Sequence, residues 1–298
     1  MTTRIGLLVN PTAGKGRGAR AGAQIAARLA QTGHEIVQVT DETAQAAHDR
    51  GVAAVASGLD VLVVVGGDGM VHLGADLCAG SETALAIVGA GSGNDVARCL
   101  GLPVHDPEAS ATMIEAGHWR SVDLGRHLDA DGDAHWFAGV LCAGFDAIVN
   151  ERANGWVWPQ GRMRYNLAIA RELPVFRPIP YTVHIDGTRI DTEAMLVAVA
   201  NGTSYGGGMR VCPDARLDDG LLDVFIVRKM SVPTLVRLFP RVYRGTHVDH
   251  PAVQIIQGRH VTLEADGITS YADGERFAPL PLSVEVAPGA LRVVVPPG

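Results

Sequence analysis

The stretch Val61-Leu62-Val63-Val64-Val65-Gly66-Gly67-Asp68-Gly69 decides how the first part of this chain is read. Its apolar run has no polar alternation, so it suits a strand covered on both faces, as strands of a parallel sheet are. The run stops at glycines that tolerate a tight turn and at an acid suited to a helix N-terminus. Outward from it the same unit repeats. Ile5–Val9 leads to a helix from about Arg17 to Gln31, and Glu35–Thr40 to one from about Thr43 to Ser57. Val61–Val65 leads to one from about Met70, and Leu85–Val88 to one over about Asp95–Leu100. Such alternation predicts a doubly wound α/β domain over residues 1–123.

After Asp123 the pattern changes. His135–Cys142, Tyr181–Ile185, Glu193–Ala200, Leu222–Val227, Val253–Ile256 and His260–Glu264 are strand-like and separated by Gly, Asp and Pro turns. Helical stretches interrupt them at about Asp146–Leu173, with a break near Pro159, and at about Val232–Tyr243. Residues 124–298 are therefore expected to form an antiparallel, sandwich-like β domain with a few helices. The last strand, Leu291–Val295, is free to return to either domain.

Bulk properties narrow the function. Apolar residues make up 47% of the 298 and charged residues 19%, which suits a well-buried globular enzyme. A net charge of −7 argues against nucleic acid as a partner. Cys78, Cys99, Cys142 and Cys212 are far apart, so neither a disulfide framework nor a zinc site is expected and a reducing cytoplasm fits. No leader pattern and no bilayer-length apolar run is evident, so any membrane contact is expected to be peripheral.

The chemistry-bearing residues gather where the predicted strands end, the ligand-binding edge of an open parallel sheet. Asn10-Pro11-Thr12-Ala13-Gly14-Lys15-Gly16-Arg17-Gly18 opens a helix, and its small residues let backbone N–H groups approach an anion. It is not a Walker A loop, since no Ser or Thr follows Lys15, and as a dinucleotide fingerprint it is displaced from the strand end. In Gly66-Gly67-Asp68-Gly69 the acid could hold a metal–phosphate or take a hydroxyl proton; a capped turn is the plainer alternative. Gly89-Ala90-Gly91-Ser92-Gly93-Asn94-Asp95 offers a hydroxyl and two capping residues. Asp123, with Gly125, opens the second domain.

In this order and spacing, NPTAGKGRG, VVVGGDG, GAGSGNDVARCLGLP and VDLG resemble the diacylglycerol kinase catalytic domain family, which is similar to sphingosine and ceramide kinases. PDARLDDGLLDV and YADGE resemble its remaining signatures, so the likeness spans nearly the whole chain. It implies ATP and a lipid alcohol in a cleft between two domains, Mg²⁺, and a homodimer. It further implies that Asn10, Pro11, Thr12, Ala13 and Gly14, together with Gly66, Gly67, Asp68, Gly69, Met70 and His72, contact ATP. Thr40, Ser92, Asn94 and Asp95 would add nucleotide contacts. Asp68, Asp95 and Asp123 would form an acidic network around phosphates and catalytic Mg²⁺. Asp273 or Glu275 would be the general base. The Asp219 carboxylate with the carbonyls of Arg216 and Leu221 would hold a structural Mg²⁺.

Phosphoryl transfer asks for these parts in its own right: loops that seat phosphates, a hard cation, and a carboxylate near the attacking hydroxyl. For Asp218-Asp219-Gly220 and Asp273-Gly274 a hairpin or loop turn is the compatible alternative. The family pattern has Thr after Gly-Gly-Asp-Gly and Asn two residues later, where this chain has Met70 and His72. The hydroxyl missing at Met70 keeps a nucleotide-sensing protein open as an alternative, and the shared Gly-Gly-Asp-Gly keeps an NAD kinase-like enzyme open. Leu235, Val236, Leu238, Phe239, Val242 and Tyr243 share a helical segment with Arg237, Arg241 and Arg244; Trp156, Val157 and Trp158 precede Arg162 and Arg164. Both segments could dock on anionic lipid and frame a lipid entrance, although a core-facing helix with a basic outer side is the plainer reading of the first.

Overall fold

A computed structural model describes residues 3–156, 162–172 and 175–297. The first elements are β1 (Arg4–Val9), α1 (Ala13–Gln31), β2 (Glu35–Gln38), α2 (Ala44–Ala56), β3 (Val61–Gly66), α3 (Asp68–Cys78), β4 (Ala84–Gly89), α4 (Asp95–Cys99) and α5 (Pro107–Ala116). β2, β1, β3 and β4 lie side by side in that order, all parallel. Strand order reverses between β1 and β3, so their two following loops face one crevice. Leu7, Leu62, Val64, Leu85 and Ile87 are buried in the sheet, as continuous apolar runs require. Thr43 caps α2 by accepting from Ala46 N at 3.1 Å. Gly14, Lys15 and Gly16 are left-handed (φ 57°, 61° and 91°), and regular helix begins at Arg17, where the sequence predicts it.

The second half continues with β5 (Trp119–Leu128), β6 (Ala134–Phe137), β7 (Val140–Gly144), α6 (Phe145–Asn154), α7 (Arg162–Glu172), β8 (Ile179–Ile185), β9 (Thr188–Ala200) and β10 (Leu222–Arg228). It ends with α8 (Val232–Val242), β11 (Val253–Gly258), β12 (His260–Glu264), β13 (Thr269–Ala272), β14 (Glu275–Pro279) and β15 (Leu282–Val294). β9 links two sets of strands in one continuous sheet. Residues 194–200 pair with β10 and residues 196–200 with β7, while residues 188–194 pair with β8. β8 passes the pairing to β12, β15 and β5. The resulting layers enclose Leu141, Val183, Val197, Val224, Leu263 and Val284. Alternate residues, such as Val140, Cys142, Ala198 and Phe225, form a separate core on the outer face.

Several local readings change. The predicted strand His135–Cys142 is two strands, because the N–H groups of Ala138 and Gly139 turn away to Asp273 at 2.8 Å each. The helical stretch expected over about Asp146–Leu173 with a break is indeed two helices, α6 and α7; Pro159, Val157 and Trp158 lie outside the described residues. α5 and β5 have no counterpart in the sequence reading, while the hairpin turn read at Asp273-Gly274 is the turn between β13 and β14. Residue 123 falls inside β5. β15 begins well before Leu291, pairs with β12 in the sandwich, and reaches β4 in parallel at Val293 and Leu85.

Asp123 stands opposite the irregular part of β15, where the register with β5 shifts between Ala287 and Leu291. Its carboxylate accepts from Gly289 N at 2.8 Å and Gly220 N at 2.7 Å. Asp123→Ala leaves both donors without their acceptor. We expect a loss of about 1–3 kcal/mol, read as a lower urea midpoint with little change in slope; Asp123→Asn, keeping one acceptor, should fall between.

Candidate active site

Three loops and one turn converge on a cleft of about 540 Å³ bordered by Asn10, Gly14, Gly67, Asp68, Met70, His72, Ser92 and Glu275, among others. The loop after β1 is braced by Asn10, whose Oδ1 accepts from Thr12 N at 3.0 Å and Thr12 Oγ1 at 2.8 Å. Arg17 donates from Nη2 to Gly91 O at 3.0 Å and so ties this loop to the one after β4. Gly14 is positive in φ, and a Cβ on it would collide with the Ala90 carbonyl. A Cβ on Gly91 would run into the backbone of Gly67, so the loops after β3 and β4 touch through glycine alone. Ala90 N and Gly91 N both donate to Gly66 O, at 2.7 and 3.0 Å.

Asp68 sits at the start of α3. Its Oδ2 accepts from Asn94 N at 2.9 Å and its Oδ1 from Asp95 N at 2.7 Å. Burial raises its pKa, the charge of Asp95 adds to this, and the two backbone donors oppose it; Asp273 contributes a further upward push. Asp95 in turn accepts from Gly207 N and Gly208 N, each at 2.7 Å. Asn94 is buried and left-handed (φ 57°), and its amide closes the loop on Gly91 N and Gly91 O at 2.9 and 3.0 Å. Ser92 remains exposed at the rim.

The β13–β14 turn brings the second half to the cleft. Asp273 is left-handed (φ 52°), and its carboxylate takes the N–H groups of Ala138, Gly139 and Val140 at 2.8, 2.8 and 3.1 Å. His72 Nδ1 lies 3.4 Å from Asp273 Oδ2. Glu275, by contrast, is exposed and borders the cleft beside Gly69. The two acids that the sequence leaves as alternatives thus differ in surroundings: one is saturated with donors, the other faces the space.

Other expected residues stand elsewhere. Thr40 is held between β1 and β2, accepting from Val9 N at 2.8 Å. Asp123 is engaged by Gly220 and Gly289, away from Asp68 and Asp95 in its bonding. Asp219 Oδ1 accepts from Leu221 N at 3.1 Å, and Arg216 Nη2 is 3.2 Å from Asp218 Oδ1. Nearby Asp223 is pushed up to about 6 by burial and by the charges of Asp219 and Asp214. Among the described residues no group of three or more His, Cys, Asp or Glu side chains forms a metal cluster. Sequence reasoning missed Gly207 and Gly208; the run Gly206-Gly207-Gly208 was the available signal.

Residues 4–127 match the diacylglycerol kinase catalytic domain, and residues 139–295 match the YegS C-terminal NAD kinase beta sandwich-like domain. A relative from Mycobacterium tuberculosis, named diacylglycerol kinase, is 40% identical over 98% of this chain and 95% of its own length. The chain belongs to the diacylglycerol kinase family. A diacylglycerol kinase of Bacillus subtilis is 25% identical, covering 93% of this chain and 91% of its own. A solved Bacillus anthracis chain shares the fold, with a TM-score of 0.80 at 24% identity over 98% of this chain and 96% of that one. Among the described residues of this diacylglycerol kinase family member, no helix is long and apolar enough to cross a membrane.

The contact between His72 and Asp273 joins the two halves and titrates. Burial pulls the His72 pKa down, but the hydrogen bond and charge of Asp273, with Asp76 and Glu275 behind, pull it up, and the net is upward. A folded-state pKa above the unfolded ~6.5 means stability that is full below that pH and is lost as pH rises through the folded value. Urea midpoints should therefore fall on going from pH 6 to pH 8, and His72→Asn should flatten that part of the profile.

Proposed function

We propose that this chain is an ATP-dependent lipid kinase that transfers the γ-phosphate to a hydroxyl of diacylglycerol or a related lipid with the help of Mg²⁺. The observation that carries this reading is Asp68: a carboxyl of raised pKa at the meeting point of three glycine loops, facing Glu275 from the other half. Backbone N–H groups of the loops after β1, β3 and β4 would seat the phosphates, as phosphoryl transfer needs positioning before anything else. Ser92 would add a hydroxyl donor.

Burial and, after it, the neighbouring charges of Asp95 and Asp273 disfavour ionised Asp68 in the free protein, so a cation there is welcome. Asp68 would hold Mg²⁺, a hard cation suited to carboxylate oxygen, and it would neutralise the β- and γ-phosphate oxygens. Glu275 would take the proton of the attacking hydroxyl, because its carboxylate is exposed to the cleft while that of Asp273 is filled by backbone donors. Asp273, Asn94, Asp95 and Asp123 would act by holding loops, and Asp219 with the carbonyls of Arg216 and Leu221 would hold a structural Mg²⁺. The reading includes a cytoplasmic chain that touches the inner face of the membrane transiently, and the homodimer implied by the family resemblance.

Labelled ATP, Mg²⁺ and a panel of lipid hydroxyls in mixed micelles test the reaction, with NAD⁺ as control. Asp68→Ala should abolish a labelled lipid product, and Glu275→Gln should lower kcat about 10²–10⁴-fold while leaving the ATP KM close to wild type. Label in NAD⁺ instead would make the enzyme NAD kinase-like. ATP binding without any product would favour a nucleotide sensor.

Membrane contact would be made by α8 and the two residues after it, where Val236, Phe239 and Tyr243 are exposed beside exposed Arg237 and Arg244. Binding to vesicles rich in phosphatidylglycerol should exceed binding to phosphatidylcholine vesicles. Arg237→Glu with Arg244→Glu should remove the difference in a co-sedimentation assay.

A further inference from the structure

The cleft that would take a triphosphate is bordered by two acids and by no fixed cation. Its carboxylates are Asp68 and Glu275, and neither Lys nor Arg is among the described residues that border it. Lys15 and Arg17, on the loop after β1, are exposed outside that border, and Arg17 donates to Gly91 O at 3.0 Å. Among the described residues of the border, His72 alone can become a cation. Phosphoryl transfer asks for positive charge at the transferring group, so this side chain stands out.

His72 lies one turn after Asp68 on α3, and its side chain is 24% exposed. Nδ1 is 3.4 Å from Asp273 Oδ2, and Asp273 is itself fixed by three backbone donors. An ionised carboxylate only accepts, so Nδ1 carries a hydrogen in either charge state and the second proton goes on Nε2. Nε2 has no hydrogen-bond partner among the described residues. The charged groups on the elements around it divide clearly. Asp76 follows one turn later on α3, 3.6 Å from His48 of α2, and the β13–β14 turn adds Asp273 and Glu275. Asp68 is taken by Asn94 N and Asp95 N, and Asp95 of α4 by Gly207 N and Gly208 N. Arg98 of α4 acts on His105, His135 of β6 pairs with Asp129 at 3.0 Å, and Arg292 of β15 pairs with Glu82. The field on His72 is therefore acidic, and it outweighs the burial that opposes protonation.

We propose that His72 is the cation met by the transferred phosphoryl group: as imidazolium it keeps Nδ1–H on Asp273 and donates Nε2–H to a γ-phosphate oxygen. Glu275 decides which phosphate is meant. The attacking hydroxyl belongs beside Glu275, so the phosphorus it attacks lies on that side of the cleft, where His72 also stands. In the transfer the bond from the γ-phosphorus to the lipid oxygen forms, the bond to the bridging oxygen of ADP breaks, and the hydroxyl proton goes to Glu275. The His72 proton stays in place and offsets charge on the phosphoryl oxygens. The γ-phosphate in turn favours charged His72, so ATP, more than ADP, takes up a proton on binding. This assignment rests on the lipid-kinase reading for its reaction, while its binding step concerns the nucleotide alone.

Calorimetric titration of the full chain with MgATP or MgADP, without lipid and in buffers of different ionisation enthalpy, reads that proton. A tenfold gain in ATP affinity on protonation corresponds to uptake of about half a proton at its maximum. An excess of this size for ATP over ADP is expected between pH 6 and pH 9. His72→Asn, which keeps an N–H but no charge, should lose the excess. In the labelled-lipid assay it should also flatten the fall in kcat/KM for ATP, about tenfold over that range in the wild type. A wild type that binds both nucleotides with no excess for ATP, or an excess that survives in His72→Asn, would overturn the assignment and leave the kinase reading intact. An excess that depends on His72 in a protein that labels no lipid would support the cation and sink the lipid-kinase reading alone. Absence of nucleotide binding would sink both.

Discussion

Backbone N–H groups in glycine-rich loops have no strand or helix partner, and here four aspartates supply the acceptors. Asp68 takes those of Asn94 and Asp95, and Asp95 those of Gly207 and Gly208. Asp123 takes those of Gly220 and Gly289, and Asp273 those of Ala138, Gly139 and Val140. An ionised acceptor makes a stronger hydrogen bond than a neutral one, and losing it leaves a donor that costs about 1–3 kcal/mol when buried. The same choice concentrates negative charge. Burial and, after it, the charges of Asp95 and Asp273 raise the pKa of Asp68, and a cleft with that bias favours a cation.

These bonds also cross between the two halves. Asp95, on the short α4, fixes the loop that follows β9; Asp273, on the turn after β13, reaches His72 on α3. β15 makes the connection continuous, since its first residues pair with β12 and its last with β4. The cleft is therefore built from both halves at once: glycine loops come from the parallel sheet, Glu275 from the antiparallel part, and the carboxylates set their spacing. A loop movement on one side is coupled to the other through hydrogen bonds rather than through a flexible linker.

How much of this was legible follows from the range of the forces. Val61–Val65 and the start of a helix near Thr43 were readable because strand burial and helix initiation depend on neighbours a few residues away. The start of regular helix at Arg17 was readable for the same reason, as Gly14 and Gly16 flank the left-handed turn. His135–Cys142 read as one strand because its residues alternate suitably; what divides it is Asp273, 135 residues away from Ala138. Asp123 was legible as a residue of note, yet its partners lie 97 and 166 positions away and no local pattern points to them.

Met70 and His72, the two departures from the family pattern, acquire physical roles. The Met70 side chain lies against Gly66, where even one added carbon would strike it, and it packs on the core of the α/β half. Methionine offers no hydroxyl to the cleft it borders and packs on apolar surface instead. Ser92 keeps an exposed hydroxyl across the same cleft. His72 turns the other way. Burial disfavours its protonated form, but Asp273, which it faces, with Asp76 and Glu275 behind, favours that form and the net is upward; once protonated it offsets their charge. A neutral side chain there would leave the turn carrying Asp273 and Glu275 without that compensation. In this chain the two positions therefore serve packing against the α/β core and the charge balance around the turn that carries Asp273 and Glu275.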